Sequence, residues 1–138
     1  MSMDDGAELW KLNHRLLTQV MNAAAPQLDA LGLETKEFFV LDEVDACKYP
    51  AALAQKLMLP KASVTMYLRS LVDSGLVRRE IDETDLRRHR LTTTNKGRRV
   101  LAEALDALAS QFSSMTAQLD EHDQSELRRI LLSLLESD

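Results

Sequence analysis

One stretch of eighteen residues constrains the fold more than any other part of the chain. Elsewhere apolar residues recur every three or four positions, as along one face of a helix, but residues 76–93 alternate. In LVRREI, Val77, Arg79 and Ile81 fall on one side, and Leu76, Arg78 and Glu80 on the other. After the acidic turn DETD, LRRHRLTT places His89, Leu91 and Thr93 on a shared face. Two short strands around a polar loop predict a hairpin, and the lack of Gly leaves its turn type open. A two-stranded hairpin is marginal on its own, so helices must supply the core against which it rests.

The helical pattern supplies them. Leu9, Leu12, Leu16, Val20 and Met21 form one face of a first helix, expected to kink or restart at Pro26 and to end at Gly32. Thr35 is the expected cap of a second helix carrying Phe38, Leu41 and Val44. A short third helix opens at Pro50, where a missing N–H costs nothing, and buries Leu53 and Leu57. Met58-Leu59-Pro60 is a tight connection into a fourth helix with Val64, Leu68 and Leu71 inward and Gly75 as its stop. Beyond the hairpin, Thr94 caps a long helix. Its Leu101, Leu105, Leu108, Phe112, Met115 and Leu119 form a heptad-like seam longer than a small domain needs. A last helix, from near Asp120, is expected to bury Leu127, Ile130, Leu131 and Leu134.

Composition narrows the function. At 138 residues and 45% apolar, the chain fits one domain with one core, or one domain plus an appended oligomerisation element, and apolar residues along nearly its whole length argue against disorder. No run approaches the roughly 20 apolar residues of a membrane span. The start, MSMDDGAELW, lacks the basic-then-apolar layout of a secretory signal, so a cytoplasmic location is expected. The single Cys47 cannot build a disulfide framework; Lys48 beside it could activate the thiol, but a structural role is the expectation. His14, His89 and His122 are too scattered for a metal set, and neither metal nor cofactor is expected. Nothing resembles a nucleophile elbow, a phosphate loop or paired catalytic carboxylates, so an enzyme is not expected.

Charge is unevenly spread. The net charge is −5, yet residues 56–99 carry eleven Lys/Arg against five acids, a local +6 that leaves −11 for the rest. A basic middle between acidic flanks is the part suited to phosphates. It coincides with a short helix, a tight turn, a second helix and a hairpin, the order of a winged helix-turn-helix. The second of those helices turns Lys61, Ser63, Thr65, Met66, Arg69 and Ser70 outward. Small hydroxyls and a guanidinium there suit base edges and phosphates of a major groove, and Met66 suits a thymine methyl. Ser63 and Thr65 are poor helix formers, and solubility alone does not explain them. On the hairpin loop, Arg87 and Arg88 follow Asp82, Glu83 and Asp85 and suit a narrow minor groove, with a nearby Asp able to fix a guanidinium's direction.

Residues 53–97 resemble the MarR family of bacterial transcriptional regulators. The resemblance is carried by Leu53-Ala54, by Ser63-Val64-Thr65 in the recognition helix, and by Leu71 with Gly75-Leu76-Val77. It continues in the wing's Asp85-Leu86-Arg87 and the exit Thr94-Asn95-Lys96-Gly97. Met66 and Leu86 stand where the family often has Arg, and Thr93 where it usually has Leu, so the operator sequence cannot be carried over. The resemblance implies a mainly α, winged helix-turn-helix homodimer that binds palindromic DNA and represses transcription until a small aromatic or phenolic effector binds. It divides the chain into a dimerisation region at 1–34, a DNA-binding domain at 35–97 and dimerisation helices at 98–138. Trp10, His14, Phe38 and Phe39 are the residues that could line an effector pocket between the dimer helices and the DNA-binding lobe. Cys47 does not lie where the family's peroxide sensors carry their reactive cysteine. The competing readings are a winged-helix module that docks on protein, favoured by the net −5, and a stand-alone small-molecule carrier.

Overall fold

The computed structural model describes residues 1–136, which form six α-helices and one two-stranded antiparallel sheet. Helix α1 (Met3–Ala30) starts in a capping box: Ser2 Oγ accepts from the Asp5 N–H, and the Asp5 carboxylate accepts from the Ser2 N–H. It runs through Pro26 as one helix, so of the expected kink or restart the restart does not occur. Both Pro26 and Asn22, whose carbonyl loses its partner, are exposed, so water can take the lost bond. Gly32 (φ 78°) ends the helix, with the Leu33 N–H returning to the Leu28 carbonyl at 2.9 Å and both leucines buried.

Helix α2 (Thr35–Cys47) is the core helix, burying Phe38, Val40, Leu41 and Val44. Its cap is Glu34, one residue earlier than expected. The buried Glu37 carboxylate reaches back to the Glu34 N–H at 3.1 Å, and Thr35 becomes the first helical residue. Helix α3 (Pro50–Leu57) begins at proline as expected; it buries Leu53 and Ala54 and leaves Leu57 half-buried. Helix α4 (Lys61–Asp73) directs Val64, Leu68 and Leu71 inward and ends at Gly75 (φ 77°), again as expected.

Strands β1 (Val77–Ile81) and β2 (His89–Thr93) pair Val77 with Thr93, Arg79 with Leu91 and Ile81 with His89, so the two expected faces coincide. Only the end near the helices is buried, at Val77, Leu91 and Thr93; Ile81 is exposed. The sheet is hooked onto the α2–α3 connection. The Leu91 N–H bonds the Lys48 carbonyl at 2.7 Å, and the Thr93 N–H bonds Asp45 Oδ1 at 2.9 Å.

Helix α5 (Asn95–Thr116) is capped by Thr94 as expected, but its most buried positions are Gly97, Ala104 and Ala107. Those small residues let it lie close to α1 and α2. Its predicted seam is only partly covered: Leu101 and Leu108 are half-buried, and Leu105 is exposed. The helix stops at Thr116, so Leu119 lies beyond it. Helix α6 (Glu121–Glu136), capped by Asp120, buries no residue. Leu127 is half-buried, while Ile130, Leu131 and Leu134 are exposed, which corrects the expected inward face. The one core of buried residues draws on α1 through α5 and both strands.

Candidate nucleic-acid interface

Helix α4 presents Lys61, Thr65, Met66, Arg69 and Ser70 to solvent, with Ser63 half-buried among them. The inward run Val64, Leu68 and Leu71 fixes which face this is. The Thr65 hydroxyl donates to the Lys61 carbonyl at 2.9 Å, so what it offers outward is lone pairs rather than its proton. Arg69 shares a cleft with Thr65, Val72, Asp73 and Arg79, the last from β1. That cleft places a strand arginine beside the helix arginine. Among the described residues, Lys61, Arg69 and Arg79 form no ion pair, and their charges are open to an outside anion.

The C-terminal end of α4 is closed by the start of α5. Lys96 Nζ donates to the Ser74 carbonyl at 3.0 Å, and Thr94 Oγ1 donates to the Gly75 carbonyl at 2.6 Å. The same Thr94 oxygen accepts the Gly97 N–H at 2.9 Å. Two carbonyls left over at one helix end are thus satisfied by side chains that begin the next. Gly97 is required here: a Cβ would strike the Leu76 carbonyl oxygen. The Thr94–Gly97 exit segment is therefore a clamp between α4 and α5.

The loop from Asp82 to Arg88 carries the second cluster. Asp85 Oδ1 accepts from the Arg87 backbone N–H at 3.0 Å and from Arg87 Nε at 3.2 Å, and the Arg87 side chain is 92% exposed. The buried Asp82 carboxylate closes the loop's root. Its Oδ1 accepts from the Thr84 hydroxyl and N–H, and its Oδ2 from the Tyr49 hydroxyl. Those hydrogen bonds, the Thr84 hydroxyl first and then Tyr49, hold its carboxyl well below the usual carboxylate range. The bond to Asp82 in turn pushes the Tyr49 phenol up. The Arg88 guanidinium lies 3.6 Å over the Tyr49 ring centroid.

The residues expected from sequence thus fall into three sets. The α4 residues share one exposed face, and Asp85 and Arg87 form the expected pair. Arg88 is turned back onto Tyr49. Sequence reasoning missed Tyr49 and Thr84 as parts of this surface, and it placed Arg79 and Lys96 only in the basic segment and Asp82 only among the loop acids. An aspartate two residues before a threonine at a turn was a readable signal for the Asp82–Thr84 bonds; Tyr49, more than thirty residues from the wing, carried none.

The four expected pocket residues form two ring pairs. Trp10 stacks on His14 at 5.3 Å and is 67% exposed, and Phe38 meets Phe39 edge-on at 5.5 Å. Phe38 is in the core, Phe39 is exposed, and the main clefts are lined by other residues. Cys47 is free and half-buried. Among the described residues there is no cluster of three metal-ligating side chains, and no helix is long and apolar enough to cross a membrane.

A helix pair followed by a hairpin, with the second helix and the loop arginine both exposed, defines a winged helix-turn-helix protein. Residues 31–88, which run from the end of α1 to the end of the wing loop, match the model of the MarR family. Wild-type MarR from E. coli in its apo form superposes with a TM-score of 0.80 at 22% identity, covering 92% of this chain and 96% of that one. A MarR-family transcriptional regulator from Rhodococcus gives 0.77 at 19% identity, covering 100% and 99%. The transcriptional repressor CouR, solved bound to a 23-mer DNA duplex, gives 0.70 at 25% identity, covering 95% and 92%. No curated protein sequence matches the chain.

Proposed function

We propose that the protein is a sequence-specific, DNA-binding transcriptional regulator of the cytoplasm, acting as a homodimer on a palindromic operator rather than as an enzyme. One observation carries the reading. The outward face of α4 and the Asp85-oriented Arg87 are exposed together on the same basic module. In this reading Ser63, Thr65, Met66, Arg69 and Ser70 meet base edges and phosphates of a major groove, with Lys61 on the backbone. Arg87 enters the adjacent minor groove. The likeness to CouR, itself solved on DNA, supports the same use of the fold.

Dimerisation is supported by what the single chain leaves uncovered. Trp10, Leu9, Leu12 and Leu17 of α1 and Ile130, Leu131, Leu132, Leu134 and Leu135 of α6 are exposed. Apolar surface on that scale marks an interaction site. Regions 1–34 and 98–138 then serve as the dimer elements, and 35–97 as the reader. Two reading helices related by a two-fold axis would contact half-sites about one helical turn apart. Repression, and its relief by a small aromatic or phenolic effector, complete the proposal.

The test is binding to the DNA upstream of the protein's own coding sequence, titrated with salt against a scrambled duplex. Preferential binding whose affinity falls steeply with salt is expected, because each phosphate contact releases counterions. Absence of binding to either duplex at low salt would overturn the reading in favour of a protein-docking module.

A further inference from the structure

The loop 82–88 has no apolar core of its own. It contains no glycine, and its one large apolar side chain, Leu86, is 76% exposed. Its shape comes from polar ties: Asp82 with Thr84 and Asp85 with Arg87 and Arg88 fold the loop on itself, and the ties that reach α3 end on Tyr49. The ring uses its hydroxyl and its face at the same time. The hydroxyl holds Asp82 at one end of the loop, and the face holds Arg88 at the other. The two ends are also joined directly, by the Asp82 N–H to the Arg88 carbonyl at 3.0 Å.

Tyr49 itself is anchored to the helix pair. It caps α3, its carbonyl accepting the Leu53 N–H at 3.1 Å, and the preceding Lys48 carbonyl holds Leu91 of β2. A displacement of the loop relative to α3 and α4 therefore has to break a contact to this one ring. The bond's chemistry fits a strut, because a neutral phenol donates to a carboxylate that stays charged, the stronger class of hydrogen bond. The raised phenol and the depressed carboxyl are the expected signs of it.

From this geometry we propose that Tyr49 is the positioning residue of the wing: it holds Arg88 back as an anchor and leaves Arg87 as the arginine presented to DNA. The inference rests on the DNA-binding reading above and divides the two wing arginines that the sequence offered as equals. Arg88 acts through Tyr49. Tyr49 acts through Arg87.

The test compares Tyr49→Phe, Tyr49→Leu, Arg88→Ala and Arg87→Ala, with the Tyr49→Leu/Arg88→Ala and Tyr49→Leu/Arg87→Ala pairs, all in the full chain. In the free protein, limited trypsin digestion at Arg87 should be faster in Tyr49→Leu than in wild type, and Tyr49→Phe, which keeps the ring over Arg88 but loses the hydroxyl bond to Asp82, should fall between the two. On the operator duplex, Tyr49→Leu and Arg88→Ala should each weaken binding about fivefold or more. The pair should be no weaker than either single variant, since coupled residues are non-additive. Tyr49→Leu should also cost little once Arg87 is already alanine. Additive losses for Tyr49→Leu and Arg88→Ala, or unchanged trypsin protection, overturn the proposal while leaving the DNA reading in place. Wild type that binds no duplex, with faster cleavage of Tyr49→Leu, overturns the DNA reading and supports the strut alone.

Discussion

The Tyr49 hydroxyl donates a 2.5 Å hydrogen bond to Asp82 Oδ2, joining the α2–α3 connection to the root of a wing that begins 33 residues later. That bond converts a flexible polar loop into a fixed extension of the helix pair. It also makes one carboxylate a stability determinant with a definite pH signature.

The carboxyl of Asp82 is depressed in the folded protein relative to its ordinary value of 3.8. A depressed carboxylate contributes stability that is complete above the unfolded value and is lost as pH falls through the folded one. Asp82→Ala should therefore be less stable than wild type by a constant margin between pH 7 and 5, and that margin should shrink below about pH 4. Urea unfolding at both ends of the range measures it. A margin unchanged at the lowest pH would mean that Asp82 acts through packing rather than charge.

Gly97 makes a second prediction, independent of DNA. Its position against the Leu76 carbonyl leaves no room for a methyl group, and a carbonyl in the backbone cannot swing aside. Gly97→Ala should destabilise the fold by roughly 2 kcal/mol or more, despite alanine's better helix propensity. Thermal unfolding reads this directly. A higher Tm in the variant would show that α5 can shift away from β1 at little cost.

What the sequence made legible follows from the range of the interactions. The α4 face, the Pro50 start, the Thr94 cap and the strand pairing rest on periodicity and local capping, which act within a few residues. The limits of α5 and α6 were harder to read. Apolar spacing reports that Leu105, Leu119, Ile130 and Leu131 prefer burial, but not whether the cover comes from the same chain. In the single chain they remain exposed. The wing was half legible for a related reason: Asp85–Arg87 is local, whereas Arg88 is claimed by a ring far away in sequence. Pro26 does not restart the helix because a proline on a solvated helix face removes one bond that water can replace.

Met58 offers a stability gain. It ends α3 in the left-handed region at φ 55° and is 90% exposed, so its side chain contributes little packing to offset that conformation. A non-glycine residue there costs roughly 1–2 kcal/mol. Met58→Gly should recover about half of that, the rest being lost to the greater freedom of glycine in the unfolded chain. A fall in Tm would instead reveal a packing role for this methionine.

Arg87 should matter for DNA and not for the fold. Among the described residues its fixed partner is Asp85, and an ion pair so exposed contributes about 0–1 kcal/mol. Arg87→Ala should leave Tm within a degree or two while weakening operator binding by about 1–3 kcal/mol. The slope of log affinity against log salt should also fall by about one. Unchanged affinity would remove the wing from recognition.

The final prediction concerns α6. Leu131 and Leu135 lie one helical turn apart and are exposed, and the helix contributes nothing to the buried core. Charging both, as Leu131→Glu with Leu135→Glu, should therefore leave the winged module folded while opposing any apolar association through α6. Sedimentation should show a dimer for wild type and a monomer for the variant, with helical circular dichroism largely retained. Operator affinity should then fall well beyond the loss from any single contact, because a monomer engages one half-site where the dimer engages two. A variant that still sediments as a dimer would place the interface on α1 and α5 without α6. Its exposed leucines would then need another partner.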